Sequence, residues 1–395
     1  MMQKEGQASA AEAEPGLFSS FSLRDVTIKN RVVASPMWQY KGAGGHPTAW
    51  HHMHLGRMAC GGTGLVLQEA TSIERRSCGT VGDLGIWNDS FTAGLSQLAS
   101  GMRAMGAVPG IQLVHTGRKA RKKLPWEGRG ALRRDPGIAD WDEWELIAPS
   151  AIPETPESDT PRPMTQADIS TVLDAWVAAT RRADEAGYDV LEVHGAHGYL
   201  LHQFMSPAAN RRTDRYGGSF ENRVRFPLDA IAAVRAVWPQ HKPLLVRLSC
   251  VDGEGWSLED TVRLARELKT IGVDAIDCSS GGIGFYPLAG GQSLTYGYQV
   301  KYAETVRREA GLPTMAVGLI VHAGFADSII RKRQADFVAL GRELLYNPNW
   351  PLDAAQKLGA DPAYGLMPDN VGYWLKNRAA SFSGFEPSTW RGPAG

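Results

Sequence analysis

Two histidines and a tyrosine stand within a short run, Glu192-Val193-His194-Gly195-Ala196-His197-Gly198-Tyr199. Imidazole N–H groups can hold an oxygen that gains negative charge, and a phenol can deliver a proton. His194, His197 and Tyr199 together suit the polarisation and reduction of a carbonyl-conjugated compound rather than its hydrolysis. The run follows Tyr188-Asp189-Val190-Leu191, which reads as a buried strand. The three groups therefore stand just past a strand end.

Other polar residues interrupt apolar runs. Gln112 and Arg247 each sit inside one, and a buried Gln or Arg needs a partner. A planar heterocycle with carbonyl and N–H edges, such as an isoalloxazine, would satisfy both. An arginine beside its N1/O2 edge would stabilise the negative charge of the reduced ring. An ion pair with a carboxylate such as Glu192 is the other way to satisfy Arg247. Gly318 and Gly341 follow two further apolar runs, where bare backbone N–H groups can approach an anion, and Arg342 adds a fixed charge. These three point to a phosphate site, although each glycine could simply turn the chain. Neither a G-x-G-x-x-G nor a G-x-x-x-x-G-K-[ST] pattern occurs. A Rossmann-held dinucleotide is therefore disfavoured and a mononucleotide favoured. His51, His52 and His54 cluster after Trp50 and could hold a metal. Adjacent helical residues face different ways, however, and no Asp or Glu stands at ligand spacing, so no metal site is expected. His115 is a candidate supporting group.

The elements that must position these residues repeat along the chain. Apolar runs start at Val32, Gly64, Pro109, Val190, Leu244, Ala275, Thr314 and Phe337. Short apolar runs of this kind fit parallel strands covered on both faces. Between them, Thr165-Gln166-Ala167-Asp168 and Ser257-Leu258-Glu259-Asp260 read as capping boxes opening helices to about Ala186 and Thr270. Eight strand–helix alternations predict an α/β fold, a (β/α)8 TIM barrel. A long loop insertion, from about Arg118 to Met164, follows the third strand. It holds Trp126, Trp141 and Trp144 and the basic run Arg118-Lys119-Ala120-Arg121-Lys122-Lys123. That run is either a solvated surface segment or an attractor for a phosphorylated cosubstrate such as a nicotinamide nucleotide.

Composition excludes little more. The 395 residues carry 42 basic and 42 acidic side chains, so no global charge points to nucleic acid. Cys60, Cys78, Cys250 and Cys278 form no C-x-x-C, and four scattered thiols fit a reducing, cytoplasmic setting. The polar start of the chain lacks the apolar core of a signal peptide and reads as a disordered lead-in. No run is long and apolar enough to span a membrane.

Several stretches also carry a resemblance. They are Asn30 to Met37, Gly110 to Ala120, Glu192 to Tyr199, Ser206 to Ser219 and Gly341 to Leu345, with the segment from Asn210 through Arg223 the most specific. In these the chain resembles the Old Yellow Enzyme family of FMN-dependent ene-reductases. It is most similar to the bacterial branch with xenobiotic reductase and the thermophilic-like enzymes. The resemblance spans roughly residues 17 to 376. It implies a domain plan of an N-terminal extension (1–16), an FMN-binding barrel (17–376) and a C-terminal tail (377–395).

The resemblance also implies roles. His194 and His197 bind the carbonyl or nitro oxygen of the substrate, and Tyr199 protonates its α-carbon. Gln112 and Arg247 contact the flavin pyrimidine edge, while Pro36, Met37 and Ala70 lie against the ring. Gly318, Gly341 and Arg342 hold the phosphate. Tyr40 lines the substrate pocket. Tyr373 and Trp374 match a segment that can reach a neighbouring subunit's site, which implies a homo-oligomer, dimer or higher. At Trp38 the chain departs from the branch, which carries cysteine there, or threonine in distant members. The expected activity is NAD(P)H-dependent reduction of α,β-unsaturated carbonyl compounds. Reduction of nitro compounds, nitrate esters or a dedicated metabolic substrate is the alternative. A metal-dependent hydrolase barrel built on His51 to His54 and a flavin-binding module without turnover are the more distant readings. NADPH against NADH, the physiological substrate and enantioselectivity stay open.

Overall fold

Successive residues of a strand face opposite sides, so residues two apart share a face. In this chain that rule sorts each barrel strand into an inner and an outer row. The computed structural model describes residues 15–128, 130–284 and 294–382. Eight parallel strands form a closed barrel: β1 (Val32–Ala34), β2 (Leu65–Ser72), β3 (Val108–Val114), β4 (Val190–Gly195), β5 (Leu244–Ser249), β6 (Ala275–Ser279), β7 (Thr314–Ala316) and β8 (Phe337–Leu340). Each pairs with its sequence neighbour, and β8 closes on β1 with Val338 opposite Val32 and Leu340 opposite Ala34. The predicted (β/α)8 architecture is therefore the observed one.

One helix covers the barrel after each strand: α1 (Ala49–Cys60), α2 (Thr92–Ala104), α3 (Gln166–Glu185), α4 (Phe220–Val237), α5 (Leu258–Ile271), α6 (Val300–Ala310), α7 (Ala323–Arg331) and α8 (Trp350–Lys357). Both predicted capping boxes form. Thr165 accepts from the Asp168 N–H at the start of α3, and Ser257 accepts from the Asp260 N–H at the start of α5. Outward strand residues such as Val66, Leu191, Val246 and Ile276 pack under the helices. Inward residues Leu65, Leu67, Val190, Leu245, Ala275, Met315 and Phe337 form a separate apolar core. A hairpin ahead of β1, Phe21–Leu23 against Val26–Ile28, adds Leu23 and Ile28 to that core and plugs this end of the barrel. Its three-residue strands are too short to announce themselves in the sequence.

Two irregularities matter for the site. The register of β2 against β3 shifts between Gln68 and Thr71, which puts Glu69 and Ala70 on a bulge. Between β3 and α3 the chain makes three single-turn helices, Gly117–Lys119, Pro125–Glu127 and Trp141–Glu143, and a short pair, Ile147–Ala148 with Arg162–Pro163. Trp144 anchors this segment, fully buried, with its indole N–H donating to the Cys78 carbonyl at 2.8 Å. A last helix, Asp369–Ser381, buries only Gly372. Most of the expected N-terminal extension, residues 1–14, and residues 383–395 of the expected tail lie outside the described residues. Among the described residues no helix is long and apolar enough to cross a membrane.

Candidate active site

The inner rows of β3 to β6 change chemistry as they rise. Above the apolar core sits a polar layer of Gln112, Glu192, Arg247 and Asp277, one from each strand and all buried. Register places Gln112 beside Glu192 and Arg247 beside Asp277. Gln112 Nε2 donates to Glu192 Oε1 at 2.7 Å, and Arg247 Nε lies 3.1 Å from Asp277 Oδ2. Arg247 therefore meets a neighbouring carboxylate, Asp277 rather than the Glu192 named as an example from the sequence. The Arg247 charge acts on both carboxyls, although it contacts only Asp277. Burial, with the Asp277 charge nearby, pushes the Glu192 carboxyl up to about 8. Burial also raises Asp277, with Arg247 opposing it. Glu192 Oε2 and Asp277 Oδ1 have no partner within the chain.

Two residues further along the strands come His194, Ser249 and Ser279. The His194 Nδ1 accepts from the Ala196 N–H at 3.2 Å, and its Nε2 lies 3.3 Å from His197 Nδ1. The His197 Nε2 is 2.7 Å from Ser279 Oγ. His197 adopts a left-handed backbone, φ 56°, held by its N–H donating to Ser249 Oγ and by Lys119 Nζ donating to its carbonyl at 2.9 Å. The next turn is fixed by His202 Nδ1, which accepts the Gly198 N–H at 2.9 Å. Burial and the nearby Arg247 charge hold both His194 and His197 well below the usual histidine range, so both are neutral at pH 7. Tyr199 stands edge-on to His194, ring centres 4.9 Å apart.

The imidazole pair contacts one residue of each of two clefts, Ser279 of the first and Tyr199 of the second. The first, about 350 Å³, is lined by Pro36, Met37, Arg247, Gly318, Gly341 and Arg342, together with Ser279, Tyr298 and Gln299. Six of the eight predicted cofactor residues thus converge on one cleft. Gln112 lies in the polar layer and Ala70 on the β2 bulge, both buried. Gly318 has φ +116°, and a Cβ there would come within 2.9 Å of Gln299 Nε2, so only glycine fits. A cleft with bare backbone and an arginine at one end and an arginine above orphaned carboxyl oxygens at the other fits a phosphorylated, planar, polar-edged molecule. A flavin mononucleotide has that shape and chemistry.

The second cleft, also about 350 Å³, is lined by Trp38, Tyr40, Thr116, Lys119 and Tyr199 among others. Trp38 stacks on Tyr40, ring centres 6.1 Å apart, and meets Tyr199 edge-on at 5.2 Å. The loop carrying both aromatics is tied from below. The buried Glu69 on the bulge accepts the backbone N–H groups of Gln39 and Tyr40 and faces His51 Nε2 at 2.9 Å. His51 Nδ1 accepts the Thr48 N–H in turn. The two nitrogens of His51 are thus committed to the loop, while His54 turns toward Arg57 and Trp50. The three histidines after Trp50 do not face a common point.

Most of the basic run is paired within the chain, while Lys119, Lys122 and Lys123 also line the second cleft and Lys123 is exposed. Arg118 is buried and donates to the Ile283 carbonyl at 2.7 Å. Lys119 bridges the His197 and Gly282 carbonyls, and burial, opposed by Glu154, lowers its ammonium to about 8. Lys122 meets Glu154 at 2.7 Å and Arg121 meets Asp159 at 3.2 Å. The run staples the insertion to the strand ends. Trp374 is 70% exposed on the last helix, against Tyr373, and lines neither cleft within a single chain. Sequence reasoning missed Glu69, Ser279, Gln299 and His202 as supporting residues. Glu69 sits on a bulge that no period announces. Ser279 opens the small-residue stretch Ser279-Ser280-Gly281-Gly282, whose composition singles out no one member.

The model of the NADH:flavin oxidoreductase / NADH oxidase family matches residues 16–361. An NADPH dehydrogenase of Geobacillus sp. (strain WCH70) is 45% identical over 355 residues, 88% of this chain and 95% of that one. An NADPH dehydrogenase of Listeria monocytogenes serotype 4a (strain HCC23) is 42% identical over 347 residues, 87% and 95% of the two chains. The fold matches a morphinone reductase solved in complex with tetrahydroNAD, with a TM-score of 0.71 and 28% identity across 91% of this chain and 96% of that one.

Proposed function

Because the chain belongs to the NADH:flavin oxidoreductase / NADH oxidase family, we propose that it is an FMN-dependent NAD(P)H oxidoreductase that reduces the activated C=C bond of α,β-unsaturated carbonyl compounds. The observation that carries this reading is the convergence of His194 Nε2 and His197 Nδ1, 3.3 Å apart, beside Tyr199 of one cleft and Ser279 of the other. When bound, FMN supplies two-electron chemistry, taking hydride from NAD(P)H and passing it to the β-carbon of the substrate.

The remaining work falls to the chain. Gly318, Gly341 and Arg342 hold the FMN phosphate. Arg247 and Gln112 meet the pyrimidine edge, and Pro36, Met37 and Ala70 back the ring. The substrate oxygen lies against His194 and His197, whose neutral N–H groups stabilise the charge that develops on it. Both imidazoles are fixed before the substrate arrives, so little reorganisation accompanies the reaction. Tyr199 gives its proton to the α-carbon. Lys119, with its Nζ 5.7 Å from the centre of the Tyr199 ring, favours the phenolate left behind. Trp38 and Tyr40 form the wall on which a flat substrate packs. Trp374 reaches a site only from a second copy of the chain, in keeping with a homo-oligomer. All four cysteines are free, which supports the reducing cytosol as the setting.

An anaerobic absorbance titration tests this. Purified protein reconstituted with FMN should bleach on adding NADPH and recover its colour on adding a cyclic enone. Protein that takes up no FMN would remove the reading altogether. The aromatic wall gives one specific reason for a second reading, nitro-compound reduction, since a flat nitroaromatic would pack equally well on Trp38. Recovery with a nitroaromatic but not with the enone would favour that reading. Trp38→Cys should then widen the cleft and shift both substrate range and flavin potential. If neither changes, Trp38 does not shape the site.

A further inference from the structure

We propose that Ser279 sets the tautomer of His197 and so turns the imidazole pair into a two-donor site for one substrate oxygen. This rests on the reading of His194 and His197 given above. A neutral imidazole carries one N–H, and which nitrogen bears it is decided by what the other nitrogen meets. For His194 the answer is local. Its Nδ1 accepts the Ala196 N–H, so its proton is on Nε2, facing His197 Nδ1.

For His197 the answer comes from another strand. Its Nε2 lies 2.7 Å from Ser279 Oγ at the end of β6. The Ser279 hydroxyl has one proton and two acceptors in reach, His197 Nε2 at 2.7 Å and Gln299 Oε1 at 3.5 Å. Gln299 Oε1 already accepts from Ser280 Oγ at 2.7 Å. For His197 to offer a proton from Nδ1 to the substrate oxygen, Nε2 must accept, and Ser279, whose other acceptor is farther and already taken by Ser280, is the hydroxyl placed to donate to it. His197 then carries its proton on Nδ1.

The consequence is a pair of N–H groups converging on the same space. Two donors cannot satisfy each other, and only an acceptor oxygen seated beside both does so. With the opposite tautomer, His197 Nδ1 would accept from His194 and the pair would close on itself. The pair would then have one donor fewer for the substrate. Ser249 Oγ and Lys119 hold the His197 backbone, and no other side-chain contact of the Nε2 edge is seen among the described residues. Ser279 is thus a positioning residue that acts through His197.

The test uses flavin-saturated protein with 15N-labelled histidine, and 4-cyanophenol as the probe oxygen. Long-range 1H–15N correlation should show Nδ1–H with a bare, hydrogen-bonded Nε2 at His197, and Nε2–H at His194. In Ser279→Ala the His197 proton should move at least partly to Nε2, and phenol affinity should fall about tenfold, the loss expected for one hydrogen bond. Ser279→Thr keeps the hydroxyl and should restore both. Nε2–H at His197 in the wild type would overturn the proposal, as would a Ser279→Ala protein unchanged in tautomer and affinity. The enone assay separates the two readings. A wild type with the expected tautomer that fails to reduce the enone sinks the substrate reading alone. One with the reverse tautomer that reduces it sinks only the role of Ser279.

Discussion

The two ends of the barrel interior are made by the same strands and obey the same alternation, yet they are built to opposite ends. Val190, Leu245 and Ala275 lie in the apolar core beside the plugging hairpin. Two residues on come Glu192, Arg247 and Asp277, and two further His194, Ser249 and Ser279. The inward side chains of the lower end are apolar and have no polar atom to satisfy. The upper end leaves orphaned carboxyl oxygens in its polar layer and two imidazole nitrogens aimed at one point. Burial alone therefore does not mark a core. Stability is vested in the rows that satisfy themselves, and chemistry in the rows that need something else to complete them.

Substitutions should separate the two ends. The largest effect is expected at the rim. Tyr199→Phe should slow enone-dependent reoxidation about 10²- to 10⁴-fold, the range for loss of a positioned proton donor. Flavin reduction by NADPH should survive, which stopped-flow absorbance would show for each half-reaction. Equal losses in both would blur the distinction. At the other end, Leu245→Ala should cost about 2–5 kcal/mol of stability, read from denaturant unfolding, and leave turnover per folded molecule within about twofold.

The polar layer lies between, and its response should depend on pH. Burial raises the Glu192 carboxyl above its unfolded value, so the folded chain binds more protons than the unfolded one between about pH 4.5 and 8. Stability from this group is therefore lost as pH rises through that window and is flat above it. Glu192→Gln removes that slope. Its unfolding free energy relative to wild type, read from denaturant unfolding, should climb with pH up to about 8, by an amount on the order of a few kcal/mol, and then level off. A difference independent of pH would mean Glu192 does not titrate in this window. The smallest effect is expected outside the barrel. Lys123, the exposed member of the basic run, should on mutation to alanine change the KM for NADPH less than about threefold at 0.15 M salt. A larger rise would restore the loop as an attractor of the cosubstrate phosphate.

Much of this was legible in the chain. The strands announced themselves because each is a short apolar run, and Gln112, Arg247, His194 and Tyr199 stood out because they break such runs or end them. Glycines at Gly318 and Gly341 followed strand ends, where close backbone approach is useful. What the histidines at His51 to His54 do was not legible: His51 meets the distant Glu69 besides its local contact to Thr48, and His54 meets its local neighbour Arg57. The partners of the basic run were hidden by distance along the chain. The countercharges at Glu154 and Asp159 lie some thirty-five residues on and were not distinguishable from other surface acids.

The sequence by itself determined the alternation, the order of strands and helices, and the chemical types available at each strand end, since these follow from local periodicity and side-chain chemistry. Only the tertiary structure decided partners. That Arg247 takes Asp277 rather than Glu192, that Glu69 ties down the loop of Trp38 and Tyr40, and that Ser279 rather than any neighbour meets His197 are consequences of register between strands distant in the chain. Register is set by closing the barrel as a whole. Hydrogen-bond energies at 3 Å are steep functions of distance that no one-dimensional pattern records.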